Sequence, residues 1–167
     1  LLRQAGELAG KGQYSRVLDA VSILLDPPAD VGFEVDSLFR RKDGRWVTVR
    51  DEANRLLGQL PESFLETFRT RFSAEADRRF KEAVAAGREA DLVDVADRFF
   101  HTPAGRQAAN RLGSRHVDRG RLGLAAFWFG RLLDASDDVT RTPAWRVKAA
   151  WAFHRVGQAA RTGELLD

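Results

Sequence analysis

The chain has 167 residues, 44% of them hydrophobic and 31% charged, enough apolar material for one soluble domain with a continuous core and too much for a disordered segment. It contains no Cys, which excludes disulfides, thiolate nucleophiles, iron–sulfur clusters and Cys-type zinc sites. The net charge is only +3, with Arg making up almost all of the basic residues, and a balance this close to neutral is only a weak argument for a polyanionic partner.

Residues 2–10 and 14–25 read as a helical hairpin turning at Gly12, with Val17, Leu18, Val21, Leu24 and Leu25 on one apolar face and Pro27 and Pro28 ending the second helix. The period then changes. Phe33 and Val35, and beyond them Trp46, Val47 and Val49, flank the turn residues Lys42, Asp43 and Gly44, which predicts a small β-hairpin over about 33–49. Helix resumes from about Arg50 to Leu60. Pro61 suits the first turn of a helix carrying Phe64, Phe68 and Phe72 at four-residue steps, and Ser73 reads as the cap of a following helix with Ala76, Phe80 and Val84. Gly87 turns the chain into a partner helix over 89–100 with the stripe Leu92, Val95, Ala96 and Phe99.

Two copies of Thr-Pro-Ala, at 102–104 and 142–144, place a Thr oxygen at a cap and Pro at the first helical position, so both should start helices. The first runs to about Arg119, turns at Gly120 and is answered by 121–134. The second runs from Pro143 to Val156 with Trp145, Ala149, Ala152 and Phe153 as its packing face, turns at Gly157 and leads into a last helix. Gly87, Gly120 and Gly157 recur at intervals of 33 and 37 residues, the period of stacked helix-turn-helix repeats. Around Gly120, the residues Leu112, Gly113, Ala125 and Phe129 fall at the spacing by which tetratricopeptide (TPR) repeats close two helices on one another. The expected architecture is therefore all-α: a single TPR-like array of helical hairpins over 1–167 with one β-hairpin insertion. His116 departs from the repeat pattern, standing where an aromatic residue is common.

The candidates for chemistry are few. His101, His116 and His154 form no HxxxH or HExxH spacing and have no Cys partner, so no metal site is expected. His101 reads as part of a helix-ending turn, and His116 and His154 as comparably placed packing or groove-lining residues. Asp91 with Asp94, and Asp137 with Asp138, lie in polar contexts that suit solvated caps better than acid–base catalysis. Lys11 between Gly10 and Gly12 lacks the spacing and the hydroxyl of a phosphate loop, and no Ser occupies a Gly-x-Ser-x-Gly turn. Arg111, Arg115 and Arg119 make a basic stripe on one helix. Without stacking aromatics or a reader motif it points to a solvated face, neutralised by Asp134, Asp137 or Asp138, more than to nucleic acid. Phe127, Trp128 and Phe129 cannot share one helix face, and Trp128 is the ring expected to point outward.

The stretch FFHTPAG, with DRGRLGLAAFWFGRLLD after it and RRFKEAVAAGREADLVDVADRFF before it, resembles the helical N-terminal region of certain bacterial proteins that carry PQQ-like β-propeller repeats further along. RDEANRLLGQLPESFLETFRTRF is similar to the Leu-Pro stretch of that region. The resemblance implies a non-enzymatic TPR-like docking module of an exported, periplasmic or membrane-anchored propeller protein, with no catalytic residue and no cofactor. The lack of Met and the start at Leu1 in a helix fit a segment of a longer protein. In a TPR-like alignment Gln107, Asn110, Ser114, Trp151, His154 and Arg155 line the concave side and grip a protein or peptide partner. A basic nucleic-acid-binding domain, or an accessory domain of an enzyme whose active site lies elsewhere, are the alternatives.

Overall fold

The computed structural model describes residues 1–26, 38–41, 44 and 46–166. Among these residues the chain forms α1 (Leu2–Gly10), α2 (Tyr14–Leu25), α3 (Val49–Gly58), α4 (Glu62–Ala86), α5 (Glu89–Arg98), α6 (Pro103–Asp118), α7 (Leu122–Asp134), α8 (Pro143–Arg155) and α9 (Ala159–Leu166). Two three-residue strands, β1 (Leu38–Arg40) and β2 (Trp46–Thr48), pair antiparallel with Phe39 opposite Val47. The class is all-α. Phe33, Val35, Lys42 and Asp43 of the expected hairpin lie outside the described residues. Val49 leaves the strand earlier than its β-branched side chain suggests. The Thr48 hydroxyl accepts from the Asp51 N–H at 3.0 Å and caps α3, so Val49 becomes the first helical residue and is buried.

Four helix pairs turn where the glycine spacing predicts, with Gly12, Gly87, Gly120 and Gly157 in the left-handed region at φ between 68° and 77°. The α6–α7 and α8–α9 turns share one hydrogen-bond pattern. The Arg121 N–H donates to His116 O at 2.8 Å, and the Gln158 N–H donates to Phe153 O at 2.9 Å. Both turns need a positive φ that side chains resist, which is why glycine marks the repeat.

Helix α4 departs from expectation, because Ser73 caps nothing and the helix runs unbroken for 25 residues. Between Glu62 and Ala86 there is neither Gly nor Pro to stop it, and tertiary packing holds both halves. Leu65 and Phe68 are buried in an N-terminal core with α1, α2 and α3. Ala76 and Ala83 belong to a C-terminal core built from α4 to α9, and Phe72 packs against both.

The C-terminal core depends on close approach. Gly113 of α6 faces the Phe129 ring of α7, where an added Cβ would come within 2.4 Å of Phe129 Cε1. At the α5–α6 corner a Cβ on Gly105 would sit 1.9 Å from Phe99 O. Thr102 caps that corner, its hydroxyl accepting from Gly105 N–H and donating to Phe99 O. The second Thr-Pro-Ala starts α8 without the expected cap. A 3-10 turn (Asp138–Arg141) precedes it, and the Thr142 hydroxyl donates back to Val139 O at 2.8 Å.

Expected ring orientations on α7 are reversed. Trp128 is 4% exposed and Phe127 is 46% exposed. Phe129 is turned onto Gly113, Trp128 is buried in the C-terminal core, and Phe127 takes the outer position, with the Arg131 guanidinium 5.2 Å from the Trp128 ring and 5.8 Å from the Phe127 ring.

These contacts order three glycine substitutions. Gly113→Ala should cost about 1–3 kcal/mol through overpacking, Gly105→Ala at least as much because backbone obstructs it, and Gly6→Ala should gain about 0.5–1 kcal/mol in open helix. Urea denaturation of the three variants checks the order.

Candidate functional site

Helices α4, α6 and α8 are the first helices of successive hairpins, and α6 touches both of the others. The residues expected to bind a partner divide between two of them. Gln107, Asn110 and Ser114 fall on one face of α6 at three- and four-residue steps, Gln107 exposed and the other two half-buried. Trp151, His154 and Arg155 are exposed on α8. A hydrogen bond links the two helices, Lys148 Nζ of α8 donating to Ser114 Oγ of α6 at 3.2 Å, but among the described residues none joins Trp151, His154 or Arg155 to Gln107, Asn110 or Ser114. Gln107 lies about 10 Å along the α6 axis from Ser114, seven residues at ~1.5 Å each, and no hydrogen bond links it to α8 among the described residues.

Two members of this face were missed in the sequence. Val147 is 66% exposed and stands one turn before Trp151, which is 45% exposed. A four-residue step between apolar residues off the Trp145, Ala149, Phe153 packing stripe was the available signal. Lys148 gave no such signal, because only tertiary packing brings it to Ser114.

The histidines are not equivalent, contrary to their apparent placement. The 37-residue offset between Gly120 and Gly157 maps His116 onto Phe153, and both are buried. His154 is one residue further on and exposed. The basic stripe is likewise engaged differently from expectation. Glu89 forms ion pairs with Arg119 and Arg121, and Arg115 donates to Gly87 O. Asp134 instead holds Arg161, Asp137 holds Arg106, and Asp138 holds Arg141.

A second polar cluster joins the two cores. Asn54 of α3 donates to Asp97 O at 2.8 Å, and its own carbonyl accepts from the His101 ring at 2.9 Å. Since a carbonyl only accepts, His101 Nε2 carries its hydrogen. Arg69 donates to His101 O, and Arg131 reaches Asp97 Oδ1 at 2.6 Å. Burial pushes the Asp97 carboxyl above its usual range against the opposing pull of Arg131. A cleft of about 870 Å³ adjoins this cluster, with His101, Arg106, Phe127 and Arg131 among its walls. His101 is committed to a backbone carbonyl and Asp97 to a guanidinium, so this geometry pins α3 to the α5–α6 corner. Among the described residues no group of three or more His, Asp or Glu converges as a metal site, and no helix is long and apolar enough to cross a membrane.

No protein-family model matches the chain, and no curated protein or solved structure matches it either.

Burial, with the nearby guanidinium charges acting in the same direction and the Asn54 bond opposing, lowers the His101 pKa from 6.5 to about 4. The folded chain therefore resists a proton that the unfolded chain accepts. Stability should be full above about pH 6.5 and fall as pH drops toward 4, by on the order of 3 kcal/mol. Denaturant midpoints across that window should show a shallower slope in His101→Gln than in the parent chain.

Proposed function

We propose that this chain is a non-enzymatic docking module in which a TPR-like array presents the first helices of its hairpins to a protein or peptide partner. The observation that carries this reading is the pairing of α6 with α8 through the Lys148–Ser114 hydrogen bond, with Gln107 of α6 and Val147 and Trp151 of α8 left exposed. Aromatic side chains with polar neighbours are the common anchors of such contacts. The contacts between consecutive helices, together with those of α6 to α4 and to α8, support the TPR-like arrangement. The resemblance of the FFHTPAG region supports the setting: a larger exported protein, periplasmic or membrane-anchored, whose propeller is one candidate partner.

Nucleic acid is the weaker reading, because two of the three stripe arginines are already held by Glu89 or the Gly87 carbonyl. Selection from a displayed random-peptide library against the whole chain tests the proposal. Enriched peptides should lose about tenfold or more in affinity on Trp151→Ala and on Asn110→Ala, and little on Phe127→Ala. Affinity should also fall only weakly between low and moderate salt, unlike phosphate neutralisation. Failure to enrich any peptide, or binding indifferent to Trp151, would overturn it.

A further inference from the structure

The cleft beside His101 is built where the two cores meet, and the fold does not use up its polar walls. Its volume of about 870 Å³ falls within the roughly 300–1,000 Å³ typical of small-molecule sites. Helix α3 supplies Asp51 and Asn54, the α5–α6 corner supplies Phe100 and His101, and α7 supplies Phe127 and Arg131. His101 is the wall that says most about a ligand. Its Nε2–H is spent on Asn54 O, so the lone pair sits on Nδ1, and among the described residues no donor meets it. Burial holds the ring neutral, which keeps that lone pair available. Gly58 makes room for the ring, since an added Cβ would stand 3.0 Å from His101 Cε1. Asn54 Oδ1 and Arg131 Nη2, on side chains of the same walls, are also buried without partners. An unpaired buried group costs about 1–3 kcal/mol, which a small rotation toward a ligand would relieve.

Charge and shape select the ligand. The four guanidiniums on the walls are each matched by a carboxylate: Arg55 by Glu52, Arg69 by Glu62, Arg106 by Asp137 and Arg131 by Asp97. Among the described residues no cation pairs with Asp51, so the walls hold no spare positive charge for an anion. What remains is a mixed set of hydrogen-bonding groups beside one open ring, because Phe127 is 46% exposed whereas Phe100 is buried. An extruded nucleobase is held between two apolar faces, and only one is open here. A sugar needs only one. Its C–H face lies against the electron-rich face of an aromatic ring, and each hydroxyl both donates and accepts, so it can meet an imidazole lone pair and a guanidinium N–H alike.

We infer that this cleft binds an uncharged saccharide, with a sugar ring stacked on Phe127 and a hydroxyl donating to His101 Nδ1. The site is separate from the docking residues of α6 and α8 and stands or falls without them.

Isothermal titration calorimetry of the whole chain with three neutral trisaccharides, maltotriose, cellotriose and N-acetylchitotriose, tests this. At least one should bind with Kd below about 1 mM. Phe127→Ala should weaken that binding about tenfold. His101→Gln keeps an N–H for Asn54 O but loses the Nδ1 lone pair, and should weaken it about fivefold. Trp151→Ala should leave it unchanged. Thermal melts verify that the variants fold, and the half-exposed Phe127 decides the matter if His101→Gln does not. No heat of binding from any of the three at about 10 mM overturns the assignment, as does binding indifferent to Phe127→Ala. So does tighter binding of sulfated maltotriose than of maltotriose, which would make this an anion site, or of adenosine than of every trisaccharide, which would make it a base site.

Discussion

The structure depends on one unbroken helix serving two cores. Helix α4 is roughly 37 Å long at ~1.5 Å per residue, and its first half closes a core with α1, α2 and α3 while its second half opens the array of hairpins. Phe68, Phe72 and Phe99 carry the continuity, with ring centroids 4.7 and 6.3 Å apart, so the aromatic contact passes from one core to the other without a polar break. Each core alone would draw on a short stretch of chain, where burial yields little net stability. Sharing a helix makes them support each other.

Polar groups then lock the angle that the shared helix permits. Asn54 reaches from α3 to the Asp97 carbonyl, His101 returns a bond to Asn54, and Arg98 pairs with both Asp94 and Asp26. These bonds are directional, unlike hydrophobic burial, and they lie at the junction where the rings alone would allow sliding. The guanidiniums nearby also stack on rings. Arg131 sits 4.4 Å from the Phe100 centroid, and Arg79 sits 5.6 Å from that of Phe99. Interior arginine is thus both a charge partner and apolar cover, which suits a chain with 27 basic residues of which almost all are Arg.

The hairpins repeat a backbone while changing its surface. The turns at Gly120 and Gly157 make the same hydrogen bonds, yet the face that carries Asn110 and Ser114 in one copy carries Val147 and Trp151 in the next. Backbone geometry is set by the turn and by the buried stripe, so outward positions are free to vary with function. Asp137 holds Arg106 and Asp97 holds Arg131, whereas among the described residues no carboxylate pairs with Arg146, Lys148 or Arg155 of α8.

Much of the fold is legible in the residues themselves, because local rules decide it. A glycine is required where φ is positive, Pro fits the first turn of α6 and α8, and the stripe Trp145, Ala149, Ala152 and Phe153 is buried as its spacing demands. Other features needed the assembled chain. Ser73 has the chemistry of a cap but lies inside α4, since no local signal reports that Phe72 is held from both sides. Which of Phe127 and Trp128 faces solvent follows from how the helices pack around α7, with Phe129 against Gly113 of α6 and Trp128 in the C-terminal core, and periodicity alone states only that the rings diverge. The proposed partner face follows the same division: the period marks Gln107, Asn110 and Ser114 as one face of α6, whereas packing alone brings Lys148 to Ser114 and leaves Val147 bare. Spacing along one helix is a property of the residues, and adjacency between helices is a property of the packed core.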